Sequence, residues 1–76
     1  MINELDIVAL VTDLPEEELR AGDVGTVVMA YRNGAAFEVE FMTIGGRTIA
    51  VTTVEASQLR LVSPDDISQA RPLATA

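Results

Sequence analysis

The chain has 76 residues, with 12 acidic against 5 basic side chains for a net charge of −7, and it contains no histidine, cysteine or tryptophan. Every base is an arginine, so lysine Schiff bases, Walker-type phosphate lysines, Ser-His-Asp and Cys-His nucleophiles, ordinary zinc or haem sites and disulfides are all excluded. The acidity also opposes binding to nucleic acid or to anionic membranes, where affinity rests on neutralising phosphate.

Leu5 to Thr12, partly β-branched and bounded by acids, predicts a first strand. Pro15 ahead of Glu16, Glu17 and Glu18 predicts either one helical turn, with Asp13 or Leu14 before it, or an extended acidic loop. Ala21-Gly22-Asp23 is a turn signal. Val24 to Tyr31 is a second strand, in which Gly25 is expected to mark a bulge or a tight bend. Asn33-Gly34 between two strand-like runs carries the signature of a type I′ hairpin, because both central residues need positive φ.

The third strand, Ala36 to Met42, alternates cleanly: Phe37, Val39 and Phe41 on one face, Glu38 and Glu40 on the other. A tight turn at Ile44-Gly45-Gly46-Arg47 leads to a fourth strand, Thr48 to Val54, whose expected core side is Ile49 and Val51. A short 3₁₀ turn over Val54-Glu55-Ala56-Ser57 precedes a fifth strand holding Leu59 and Leu61. Ser63-Pro64-Asp65-Asp66 is a helix-start signature, and Pro72 would stop that helix after about two turns. The expectation is therefore a domain over residues 1–62 and a tail over 63–76, holding a short helix at 64–71 or frayed. Five short antiparallel strands, a long first loop and a 3₁₀ turn before the last strand describe an all-β, SH3-like small barrel. An open five-stranded meander is the alternative.

The run Leu19-Arg20-Ala21-Gly22-Asp23-Val24-Gly25-Thr26-Val27-Val28, then Phe37-Glu38-Val39-Glu40-Phe41 and Ala56-Ser57-Gln58-Leu59-Arg60, resembles a family of short bacterial proteins known as domain of unknown function 4926. Asn3-Glu4-Leu5-Asp6 and Asp13-Leu14-Pro15-Glu16 fit its usual opening. Arg20, where the family more often has lysine, and Arg47 after Gly46, where an acid is common, depart from it. The resemblance covers about residues 3 to 62 and implies an SH3-like fold, a cytoplasmic setting and the character of a binding module. It brings no catalytic residues.

The remaining motifs read as structure. Glu38 and Glu40 share a strand face roughly 6.5–7 Å apart, a spacing that could flank a glycosidic bond only within a cleft that splits their pKa values. They lie opposite the core face, so a solvated face is expected. Asp13, Glu16, Glu17 and Glu18 lack the spacing and central glycine of a calcium loop; an acidic loop of this kind can instead steer a basic protein partner. Gly22-Asp23-Val24-Gly25 runs into a strand and has neither lysine nor a helix dipole to cradle phosphate. Three aromatic residues, two of them in the core pattern, give no stacking platform for RNA.

A domain of this length buries a marginal core and often gains stability by oligomerising. The first two strands are apolar on both faces, as in Ile7 and Ala9 against Val8 and Leu10. This implies a second buried surface. Val8, Leu10, Val27, Met29 and Tyr31, with Ile67 and Leu73 from the tail, are the candidate interface of a homo-oligomer, dimer or higher. The start Met1-Ile2-Asn3-Glu4 lacks the basic region of a secretory signal, and the apolar run Ile7 to Val11 is too short to cross a bilayer. A soluble cytoplasmic protein is expected, with no metal, no cofactor, no nucleic acid and no membrane partner. The reading is a non-catalytic interaction module that self-associates. The alternatives are an antitoxin-like or immunity-like inhibitor of a basic protein, and a small-molecule binder or enzyme working through Glu38, Glu40, Glu16 or Asp23.

Overall fold

The structure, a computed structural model, describes residues 1–73; the last three residues of the expected tail lie outside the described residues. Five antiparallel strands form one sheet: β1 (Ile7–Leu10), β2 (Val24–Tyr31), β3 (Ala36–Met42), β4 (Thr48–Glu55) and β5 (Leu59–Leu61). Their order is β4-β3-β2-β1-β5, so the chain meanders through β2, β3 and β4 and then returns to place β5 beside β1. Among the described residues β4 and β5 do not pair with each other, so no β4–β5 ladder closes the sheet. β5 has only three residues, all spent on β1.

β1 is shorter than expected because a local turn occupies its front. The Asp6 amide donates to the Asn3 carbonyl, the Asp6 side chain accepts from the Asn3 amide, and Leu5 sits at φ 72, outside the strand region. Pro15 opens a single 3₁₀ turn, Pro15–Glu17, so the helical alternative for the acidic loop is the one that forms. Asn33 and Gly34 adopt the positive φ that a type I′ turn demands, and the Ala35 amide closes it onto the Arg32 carbonyl. Arg32 joins them at φ 50, and strand pairing resumes at Tyr31 and Ala36.

The register decides which face is core. Phe37, Val39 and Phe41 stand opposite Val54, Thr52 and Ala50 on one side and Ala30, Val27 and Gly25 on the other. Val8, Leu10, Leu19, Val27, Phe37, Val39, Phe41, Val54 and Leu59 form one buried cluster, supported by Ile2, Leu14, Ala50 and Ala56. Ile49 and Val51, expected inside, are instead exposed: Val54 fixes the inward parity of β4, and a ladder irregularity follows at Phe41/Met42. The bulge expected at Gly25 lies at Val28, between Val27 and Met29, while Gly25 pairs regularly with Val8 and Phe41. The Val27 amide and carbonyl are already bonded to Asp6 and Leu5, which pins this point of β2 to the turn before β1.

No helix forms over 64–71. One turn closes, with the Asp66 amide on the Ser63 carbonyl, and its polar groups satisfy each other locally: the Asp65 amide bonds the Ser63 hydroxyl and the Ser63 amide bonds the Asp66 carboxylate. Beyond it Ile67 is 92% exposed, so a two-turn helix would have no apolar face to pack and would not repay its nucleation. Pro72 also pushes Arg71 out of the helical region. No helix among the described residues is long and apolar enough to cross a membrane.

Candidate functional site

Two surfaces on this frame have the character of binding sites: the outer face of the sheet, and a groove at the end where the β1–β2 loop meets the β3–β4 turn.

The outer face follows from the cross-strand rows. Ile7, Thr26, Glu40 and Val51 lie in one row, and Met29, Glu38 and Thr53 in the next. Val24 and Met42 share the same outward parity. Ile7, Val24, Met29, Met42 and Val51 are all exposed, Met29 at 48% and Val51 at 51%. The two glutamates among them are tied down rather than projecting, since Thr53 donates its hydroxyl to Glu38 at 2.8 Å and Thr48 to Glu40 at 2.7 Å. The result is an apolar surface with its charges drawn against the sheet.

The groove is built by the long loop. Asp13 accepts from the Ala21 amide, Leu14 and Leu19 exchange backbone bonds, and Leu19 drops its side chain into the core. Gly22, at φ 95, turns the chain so that the Asp23 amide meets the Arg20 carbonyl and the Asp23 carboxylate accepts the Arg20 amide at 2.8 Å. Asp23 is thus fixed by its own turn before any other partner reaches it. Arg71 then arrives from the tail. Its Nε donates to Oδ1 at 2.9 Å and its Nη2 to Oδ2 at 2.5 Å, while Nη2 also reaches the Glu18 carbonyl at 3.3 Å. A forked contact of this type is the stronger form of ion pair. It is also the most shielded one here, with side chains 27% and 18% exposed against 64% and 55% for Arg32–Glu55. Burial alone would push the Asp23 carboxyl up; the Arg71 hydrogen bonds and the Arg20 amide outweigh it and hold the group below the usual carboxylate value. Around this pair Leu19, Val24, Phe41, Met42, Ile44 and Ile49 line a cavity of about 630 Å³.

The residues singled out from the sequence divide. Val8, Leu10 and Val27 are core, wholly or almost wholly buried, and do not belong to an exposed interface. For Val27 the reason is the bulge at Val28, which breaks the alternation that grouped it with Met29 and Tyr31. Met29 and Tyr31 do lie at the surface, as does Ile67. Leu73 is half-buried beside Pro15, Leu19 and Ile49. In the acidic loop Glu16, Glu17 and Glu18 are exposed, but Asp13 is spent on the Ala21 amide and the Glu18 backbone serves Arg71. Among the described residues no three acidic side chains gather in the manner of a metal site. The Asp23–Arg71 pair was invisible to sequence reasoning: the partners are 48 positions apart, and Asp23 reads as a turn residue on its own.

No curated protein and no solved structure matches the chain. The strand that carries Gly25, the paired glutamates of β3 and the turn into β5 all fall within residues 4–61, which match the family model described as domain of unknown function (DUF4926), and the chain belongs to that family.

Proposed function

We propose that this chain is a small non-catalytic interaction module of SH3-like barrel type, and that it self-associates through the outer face of its sheet. The observation that carries the reading is the cluster of Ile7, Val24, Met29, Met42 and Val51, exposed together on one face of the sheet. A sheet face this apolar is normally packed against something, and a two-fold contact between copies is the commonest solution for a soluble protein. The barrel reading is supported by the return of β5 to β1, the long loop after β1 and the 3₁₀ turn Ala56–Gln58 before β5. The non-catalytic reading is supported by chemistry. The carboxyls of Asp23 and Asp66 are both held below their ordinary value by arginine partners, the opposite of what a general acid needs.

The test is solution mass by light scattering after size exclusion, at low and high salt, for the chain and for Met29→Asp. Two copies, each of charge −7, repel while their apolar faces attract, so added salt should strengthen the association. Met29→Asp should leave a folded monomer. A chain that stays monomeric at every salt concentration and at millimolar protein overturns the reading. A complex with a basic protein, the inhibitor alternative, has the reverse salt dependence.

A further inference from the structure

We propose that the groove between the β1–β2 loop and the β3–β4 turn is a peptide-binding site for an extended segment carrying arginine, proline and an aliphatic residue in succession, and that the chain's own Arg71-Pro72-Leu73 occupies it as a displaceable intramolecular ligand. The inference goes beyond self-association and does not depend on it, because the outer sheet face and the groove share only their rim at Val24 and Met42.

Three observations combine. First, the tail touches the domain like a short linear motif. Residues 64–70 are exposed, held to the domain at Asp66 by the Arg60 guanidinium at 2.9 Å, and Arg71 and Leu73 are then half-buried on either side of an exposed Pro72. A following proline disfavours helical backbone and favours an extended one, in which alternate side chains point the same way. The arginine and the leucine therefore enter the groove together. Second, the receiving side is prepared without the tail. The Asp23 carboxylate is oriented by the Arg20 amide and the Gly22 turn, and the Glu18 carbonyl is aimed at the same point. An acceptor pair fixed in advance loses little freedom on binding. Third, the aliphatic side chain meets an apolar wall. Leu73 sits by Pro15, Leu19 and Ile49, and the cavity continues past the tail to Phe41, Met42 and Ile44, leaving room for a bulkier residue than leucine.

Charge selects the occupant. The groove offers a carboxylate within a domain of charge −7, so an arginine-bearing segment of another protein fits and an acidic one does not. A tail tethered by a short linker competes at an effective concentration of about millimolar order. Outside ligands must displace it, and only those that bind better than Arg71-Pro72-Leu73 will do so.

The experiment is an NMR titration with the amidated peptide Ile-Ser-Gln-Ala-Arg-Pro-Leu, the sequence of residues 67–73. The proteins are the full chain, the double variant Arg71→Ala/Leu73→Ala, and that double variant carrying Asp23→Asn. Asn keeps an oxygen for the Arg20 amide, so the turn is preserved while the charge is lost. The double variant should bind the peptide with shifts at Asp23, Leu19 and Ile49, the full chain roughly tenfold more weakly, and the triple variant without measurable saturation. Ile49→Ser added to the double variant should weaken binding as well. A double variant that does not bind, or binding that survives Asp23→Asn unchanged, overturns the proposal. A full chain whose tail contacts appear only in a dimer, by concentration-dependent mass and shifts at Asp23, overturns the intramolecular form of it.

Discussion

Gly25 and Phe41 face each other across the β2–β3 ladder so closely that a β-carbon on Gly25 would stand 2.9 Å from the Phe41 ring, 2.8 Å from the Glu40 carbonyl oxygen and 2.7 Å from a Val39 methyl. The glycine is required here by space, and its φ is not among the positive values found elsewhere. Gly34 is the contrasting case: its φ is +89, and nothing lies within 4 Å of where its β-carbon would be. Gly25→Ala must move backbone and should cost about 2–3 kcal/mol, whereas Gly34→Ala meets only left-handed strain of roughly 1–2 kcal/mol. Urea unfolding of both variants checks the order. A Gly34 variant less stable than the Gly25 variant would mean that the packing of Phe41 over Gly25 yields more readily than its geometry implies.

Val27 and Met29 are two positions apart yet belong to opposite faces in effect, because the bulge at Val28 resets the alternation. Val27→Asp places a charge where no water reaches and should unfold the domain, with loss of amide dispersion in NMR spectra. Met29→Asp, on a side chain already half in water, should change stability by no more than about 0.5 kcal/mol. If both variants stay folded, the bulge does not direct Val27 inward in solution.

These pairs show what the sequence could and could not disclose. The clean alternation of Phe37, Val39 and Phe41 with Glu38 and Glu40 made β3 and its core face legible from one strand alone. The Asn33-Gly34 turn and Pro15 were equally local signals, and each element formed where its residues placed it. What failed was parity over distance. Nothing in Thr48 to Glu55 says that Val54 rather than Val51 faces inward; pairing with Phe37 decides it. Gly25 signals a bulge or a tight bend, because glycine commonly marks either, but the ladder irregularity lies at Val28, next to the Val27 groups bonded to the turn before β1. The groove was the least legible part, since it joins a loop, a β-turn and a tail whose contact depends on the fold being complete.

The pH dependence of stability should report the Asp23–Arg71 pair. The folded-state pKa of Asp23 lies below its ordinary value, so its stabilisation is fully present above the unfolded value of about 3.9 and is lost as pH falls through the folded value. The difference in unfolding free energy between the chain and Asp23→Asn should therefore hold steady, at about 1–2 kcal/mol, between pH 5 and 8. It should shrink towards zero below roughly pH 4. Using the difference cancels the acids common to both proteins. A gap that persists to pH 2 would mean the aspartate acts through shape and not through charge.

A chain ending at Val62 separates the two surfaces. The last β5 contact survives, since the Val62 amide bonds the Ile7 carbonyl, and every strand lies upstream of the cut. The truncated protein should fold, because the core cluster runs from Val8 to Leu59 and takes nothing from the tail. It loses the Arg71 fork on Asp23 and the Leu73 cover over Leu19 and Ile49, and should be less stable by about 1.5–3 kcal/mol. Its oligomeric state in light scattering should match that of the full chain at the same salt, because Ile7, Met29 and Val51 of the outer face do not line the groove that the tail enters. If truncation instead abolishes association, the tail rather than the sheet face joins the copies. The exposed Met29 then has no partner in that assembly, and Met29→Asp should leave the oligomer intact.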